Sequence, residues 1–194
     1  MTTPQRVAAK FLLSDPTAPV QLDPFIGIFH RFIQQGEVPG LLIDVADYAH
    51  VPDGPGVMLI GHDVDYGIDC SGGRAGLLTT RKRCADVPLP EVLRDTLQRA
   101  LQAVAAIEAD DATDLRFGTA AVTLQFIDRL ATPNTDAAFE SVRGEIAAIA
   151  DRLYGPGGAR IERVHADDSR RVLTVRVAAD ETADASALIE RLAA

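Results

Sequence analysis

Apolar residues in this chain switch repeatedly between the three-to-four spacing of a helix and the alternation of a strand. The segments with helical spacing, each bounded by a proline, a polar cap or a glycine, are 23–35, 88–108, 135–154 and 182–192. The segments with strand character are 8–13, 41–45, 57–69, 74–83, 115–128, 159–165 and 171–178. Hairpins joined by helices favour the α+β class, here a mixed, largely antiparallel sheet with helices packed on it.

These segments divide the chain into two halves, 1–110 and 114–194, which both run strand, helix, hairpin, helix. Because no linker rich in proline, glycine or serine separates the halves, we expect one compact domain over residues 1–194, with the halves as a pseudo-repeat. The composition, 47% apolar and 24% charged over 194 residues, is typical of a globular protein. A chain of this length can bury a substantial core.

The formal net charge of -9 argues against two classes of partner. A phosphate backbone and an anionic membrane surface both attract clustered lysine and arginine. We therefore expect no nucleic acid and no membrane as partner, and a small molecule or a protein instead. No apolar run approaches the about 18 residues of a membrane span, and Cys70 and Cys84 are too few for a disulfide scaffold. These features predict a soluble, cytoplasmic protein.

Residues 57–83 carry many polar side chains, and strand alternation divides them between two faces. If 57–69 is one long strand, His62 and Tyr66 share an apolar face, whereas Asp63 and the other aspartates of the strand share the opposite face. Since adjacent strand residues face apart, we do not expect His62 to pair with Asp63. The favoured interpretation is a partly buried, hydrogen-bonded histidine.

The turn before the basic return strand leaves two registers open. A turn on residues 71 and 72 places Asp63 opposite Thr80, whereas a turn on residues 72 and 73 places Asp63 opposite Lys82. In both registers acidic and basic strands are neighbours, and such cross-strand pairs contribute roughly 0.2–1 kcal/mol each. The basic residues therefore complement the aspartates or, alternatively, bind an external anion through Arg81, Lys82 and Arg83.

Two sets of candidate site residues follow from this region. The candidate ligand-binding residues are His50, His62, Tyr66, Arg74, Arg81 and Lys82. Histidines among carboxylates suit zinc, iron or manganese. The candidate metal ligands are His50, His62, Asp44, Asp47 and Asp65, with Asp53 in the same stretch.

Motifs with an established mechanism are missing from the sequence. It has no HxH, HExxH or CxxC spacing. The Gly54-Pro-Gly56 turn lacks the lysine of a phosphate loop, and Ser71 does not lie in a GxSxG elbow. We therefore assign no catalytic residue and predict no particular cofactor.

Several short pieces of the first 85 residues resemble a family of uncharacterised bacterial proteins. The pieces are Asp44-Val-Ala-Asp-Tyr48, His50, Gly54-Pro-Gly56, Leu59-Ile-Gly-His62 and Gly72-Gly-Arg74. The resemblance implies a bacterial, cytoplasmic protein, and it brings no activity, cofactor or catalytic residue.

Taken together, these features predict a non-catalytic accessory protein that binds a ligand or a partner through the 57–83 hairpin and forms a homo-oligomer. The alternative is an enzyme, a metal-assisted or histidine-dependent hydrolase or isomerase centred on His50 and His62. The fold class does not choose between the two.

Overall fold

A computed structural model describes residues 3–51, 54–84, 86–180 and 183–193. Within these ranges four helices pack on one sheet of eight strands, which confirms the predicted α+β class. The strands are β1 (Val7–Leu12), β2 (Leu42–Tyr48), β3 (Gly56–Gly61), β4 (Val64–Asp69), β5 (Gly76–Arg81), β6 (Ala121–Phe126), β7 (Ala159–Val164) and β8 (Leu173–Ala179). The helices are α1 (Asp23–Gln35), α2 (Leu89–Glu108), α3 (Asp136–Tyr154) and α4 (Ala185–Ala193). No helix in the described ranges is long and apolar enough to cross a membrane.

Neighbouring strands of the sheet are antiparallel, in the order β2-β3-β4-β5-β1-β6-β8-β7. In each half of the chain, the first strand pairs with the last strand of the meander that follows it: β1 with β5, and β6 with β8. β1 and β6 also pair with each other, and this contact joins the strands of both halves in one sheet.

The ends of the helices agree with the sequence signals. α1 has a proline in its first turn and ends at Gly36, whose φ of 68° is the left-handed conformation that glycine adopts most easily. At the start of α3 the Thr135 hydroxyl accepts a hydrogen bond from the Ala138 amide at 3.2 Å. These boundaries therefore follow from local sequence.

The prediction of one long strand over 57–69 is wrong. The segment forms β3 and β4, which are joined by a tight turn at His62 and Asp63. Leu59 in β3 and Tyr66 in β4 are both fully buried, one at an odd and one at an even position. A single strand cannot bury both positions on one face, because its side chains alternate strictly.

Gly61 makes the turn between β3 and β4 feasible. A Cβ at this position would lie 2.3 Å from the Val64 carbonyl oxygen, so only glycine lets the backbone approach so closely. The first half consequently has a four-stranded meander, β2 to β5, where the sequence predicted three strands. β6 is also shorter than the predicted 115–128.

The strand registers define two faces of the sheet. On the face that carries the helices, one row of paired residues runs across five strands and is fully buried. The row consists of Leu59, Tyr66, Thr79, Ala9 and Leu124. α2 contacts β1 and β5, α1 contacts β2 and β3, and α3 contacts β7 and β8. The opposite face carries no helix among the described residues, and we call it the helix-free face.

β2 is an edge strand, and carboxylates of its own side chains accept hydrogen bonds from backbone amides in and just after the strand. The Asp44 carboxylate accepts a hydrogen bond from the Val45 amide, and Asp47 accepts one from the Ala49 amide, both at 2.8 Å. The register also shifts at Ile43. Bulges and charged side chains are devices that keep an edge from pairing with another chain. β2 is therefore a protected edge.

Replacing Asp44 tests this protection. We expect Asp44→Ala to increase self-association, because the Val45 amide becomes free to pair and a negative charge leaves the edge. Sedimentation velocity over a range of protein concentrations would report the change. Asp111→Ala, which removes the same charge from another exposed position, should sediment like wild type. Identical profiles for Asp44→Ala and wild type would contradict the interpretation.

Candidate functional site

The structure does not bring the candidate metal ligands together. His50 lies in an exposed turn after β2, and His62 lies in the turn between β3 and β4. The described residues contain no group of three or more His, Cys, Asp or Glu side chains that could hold a metal ion. Asp53 lies outside the described residues. The histidine-and-carboxylate cluster of the sequence therefore has no counterpart in the described structure.

The expectation that His62 and Asp63 face apart, with His62 among apolar neighbours, is wrong. Nδ1 of His62 lies 3.0 Å from Oδ1 of Asp63, because both residues occupy the turn rather than a strand. Both side chains are about half exposed, at 49% and 47%. The pair is thus accessible to solvent and is not enclosed by apolar side chains.

Arg81 and Lys82 are engaged in internal ion pairs. The β4–β5 register pairs Val64 with Arg81, which is the second of the two registers considered from the sequence. The ammonium of Lys82 donates to Asp65 and to the Gly61 carbonyl, both at 2.7 Å. Arg81 forms an ion pair with Asp95 of α2 at 2.9 Å. These cations hold the meander and α2 together, so the structure favours internal charge complementarity over an external anion at this position.

Tyr66 is a core residue on the helix side of the sheet. It is fully buried, and its hydroxyl makes no hydrogen bond of good geometry within the described residues. Burial raises the pKa of Tyr66 to about 12, although the nearby Arg99 guanidinium opposes part of this rise. A ligand cannot reach this side chain without displacing α2.

A groove of about 220 Å³ opens on the helix-free face, where the chain leaves β1 and enters β5. We call it the arginine groove. Its apolar lining includes Leu12, Leu13, Pro16, Ala75, Ala120 and Ala121. Its polar lining is Ser14, Arg74, Thr123 and Arg176. Of the six candidate ligand-binding residues, only Arg74 lines this groove.

The arginine groove contains two cations without an acidic partner in the described structure. Neither Arg74 nor Arg176 forms an ion pair with a described carboxylate. This holds even though Glu162 lies opposite Arg176 across the β7–β8 ladder. Arg74 enters the groove from the start of β5 and Arg176 from β8, with β1 and β6 between those strands. The two arginines therefore approach the groove from opposite sides.

The turn that carries Arg74 is anchored by a buried ion pair. Lys10, 7% exposed, donates from its ammonium to Asp69 at 2.5 Å and to the Arg74 carbonyl at 2.7 Å. Asp69 also accepts a hydrogen bond from the Ser71 hydroxyl at 2.7 Å. These contacts tie both ends of the turn to β1.

Sequence reasoning missed Lys10, Ser14, Thr123 and Arg176. A lysine in an otherwise apolar strand was the one available signal, since a buried lysine needs an anionic partner. Ser14 and Thr123 carry no local signal, and Arg176 is one of several arginines in the last hairpin, a pattern that favours a solvated strand face over a binding surface. They belong to the site only because β1, β6 and β8 are adjacent in the sheet.

The two cysteines are free thiols with weak nucleophilic character. Burial raises the pKa of both Cys70 and Cys84 above the usual value. Because the thiolate is the reactive form, neither side chain is primed for covalent chemistry.

Comparison with known proteins identifies no relative. No family model matches the chain, and no curated protein or solved structure matches it significantly. The resemblance of the first 85 residues to a family of uncharacterised bacterial proteins therefore stays a prediction. Any function must be argued from the site itself.

The buried phenol of Tyr66 makes a prediction about alkaline stability. The unfolded chain releases this proton near pH 10, whereas the folded protein retains it up to about pH 12. The free energy of unfolding should therefore fall as the pH rises from 10 to 12. We expect Tyr66→Phe to reduce this loss by about 2 kcal/mol, measured by urea unfolding at pH 8, 10 and 11.5. Tyr48→Phe, at an exposed site, should retain the wild-type profile, and equal profiles for all three proteins would refute the assignment.

Proposed function

We propose that this chain is a non-catalytic binding protein whose ligand is a small organic anion held in the arginine groove. One observation carries the proposal: Arg74 and Arg176, neither with an acidic partner in the described structure, line the same apolar-walled groove. The segment 57–83 contributes Arg74 and Ala75, so the proposal keeps the ligand-binding function that the sequence predicted. It narrows the site from the 57–83 hairpin as a whole to the start of β5.

The chemistry of the two side chains selects an anion. Guanidinium groups stay charged and present several donors in a planar fork that matches carboxylate and phosphate oxygens. The net charge of -9 opposes the approach of an anion over the surface as a whole. Binding must therefore depend on these local contacts, and it should weaken as salt screens them.

The size and walls of the groove select a small organic ligand. Its volume of about 220 Å³ is below the roughly 300–1,000 Å³ of sites for drug-sized molecules. The leucine, proline and alanine side chains suit a short aliphatic segment between charged groups. A short carboxylate or a small phosphate ester fits both requirements.

The residues of the groove support binding rather than catalysis. Among the described residues that line it, none is histidine, cysteine, aspartate or glutamate. Ser14 and Thr123 supply hydroxyls, but a hydroxyl needs an adjacent base to act as a nucleophile. In the groove these hydroxyls serve as hydrogen-bond donors to the ligand.

Three further expectations belong to the proposal. The two free thiols support a cytoplasmic location. Exposed Leu41 and Ile43, at 67% and 58%, support self-association through side chains near the β2 edge. A bacterial origin rests on the sequence resemblance alone.

Calorimetric titration with succinate tests the proposal. We expect wild type to bind succinate at low salt and to ignore the uncharged diamide of the same length. Arg74→Gln and Arg176→Gln should each weaken binding about tenfold or more, because hydrogen bonds to charged groups contribute about 1.5–3 kcal/mol. Inorganic phosphate serves as a second anionic probe.

Arg129→Gln is the matched control, because it removes the same charge from an exposed position. It should bind succinate like wild type. The proposal is overturned if wild type releases no heat with succinate or phosphate at millimolar concentration. It is also overturned if both groove variants bind like the Arg129 control.

A further inference from the structure

Lys10 and Asp69 form an ion pair on the helix-free face, next to the arginine groove. Their side chains are only 8% and 9% exposed, although no described helix covers this face. In the strand registers Lys10 lies between Leu78 of β5 and Thr123 of β6, and Thr123 lines the groove. Lys10 thus lies on β1, which lines the groove through Leu12, next to a β6 residue that also lines it.

Stability alone is a weak reason for such a pair. Removing two charges from water costs several kcal/mol per ion, and well-packed apolar residues often replace a buried pair without loss of stability. Lys10 offsets this cost with a second hydrogen bond, to the carbonyl of Arg74. That bond connects the pair directly to a residue of the groove.

The turn between β4 and β5 contains two consecutive glycines. Gly72 and Gly73 both have a φ of 66°, and no atom lies within 4 Å of where the Cβ of Gly73 would be. The Arg74 amide reaches the Ser71 carbonyl only at 3.5 Å. Glycine-rich turns have high conformational freedom. Lys10 and Asp69 therefore order the backbone at Arg74, together with the hydrogen bond from the Leu13 amide to the Ala75 carbonyl at 3.0 Å.

We propose that Lys10 is a positioning residue for anion binding: through Asp69 and the Arg74 carbonyl it holds the 70–74 turn so that Arg74 faces the arginine groove. This inference rests on the proposed anion-binding function. Lys10 itself is neutralised by Asp69, so its contribution is preorganisation of Arg74. A preordered arginine loses less conformational entropy when the ligand binds.

A double-mutant cycle with Arg74 separates positioning from a general structural role. The first variant is Lys10→Met with Asp69→Leu, which replaces the whole ion pair by apolar side chains and avoids an unpaired buried charge. We expect it to fold and to bind succinate about five- to tenfold more weakly than wild type, the loss that matches one side chain released from order. In the Arg74→Gln background the same double change should produce no further loss.

A second variant keeps the test informative if the first one does not fold. Ser71→Ala removes only the exposed hydroxyl that donates to Asp69. It should weaken succinate binding about two- to threefold, since the hydrogen bond from Ser71 to Asp69 is lost. As with the first variant, we expect this loss only when Arg74 is present. Circular dichroism and thermal unfolding would confirm that each variant is folded.

The possible outcomes distinguish the two proposals. If wild type binds succinate and the Arg74 and Arg176 variants bind it at least about tenfold more weakly, the proposed function stands independently of Lys10. The positioning role is then overturned if the ion-pair variant, or Ser71→Ala where the first does not fold, binds like wild type. It is equally overturned if the loss is the same with and without Arg74. Absence of binding by wild type refutes the proposed function and this inference with it.

Discussion

The whole sheet depends on the position of β1, which pairs with β5 on one side and β6 on the other. Because β6 is the first strand of the second half, this single strand joins two meanders that are otherwise separate in sequence. The pairing also aligns the buried rows of both halves, so that Ala9 and Leu124 face the same helices. Among the described residues the helices cover this face only, and the opposite face carries the Lys10–Asp69 ion pair and the arginine groove.

Each face of the sheet has its own ion pairs between neighbouring elements. On the helix side Asp95 of α2 pairs with Arg81 of β5, which fastens the helix to the meander, and also with Arg99 one turn further along the same helix. On the helix-free face Lys10 binds Asp69 and fastens the turn before β5. The buried Lys10–Asp69 pair is better explained by the geometry it imposes than by the stability it adds.

The candidate site differs from the basic patch that the sequence suggests. Arg81 and Lys82, which look like a basic patch in the sequence, are occupied by aspartates of neighbouring elements. Arg74 and Arg176 have no such partner among the described residues, and both line one groove. This arrangement of two guanidinium groups is the observation behind the proposed anion-binding function.

Sequence reasoning succeeded where the signal is local. The start of α3 at Thr135 and the end of α1 at Gly36 follow from capping residues that act within one turn. It failed over 57–69 because the turn at His62 and Asp63 contains none of the usual turn dipeptides. Gly61 was the one residue that marked the break, and its necessity is visible only when the Val64 carbonyl is in place.

The sequence by itself determined the α+β class, the helices and most of the strands, because helical spacing, strand alternation and capping are properties of short segments. Only the tertiary structure decided the strand order, the burial of Lys10 against Asp69 and the arginine groove. These features join residues that are far apart in the chain, such as 10 with 69 and 74 with 176. Their proximity depends on β1 lying between β5 and β6, which no local pattern encodes.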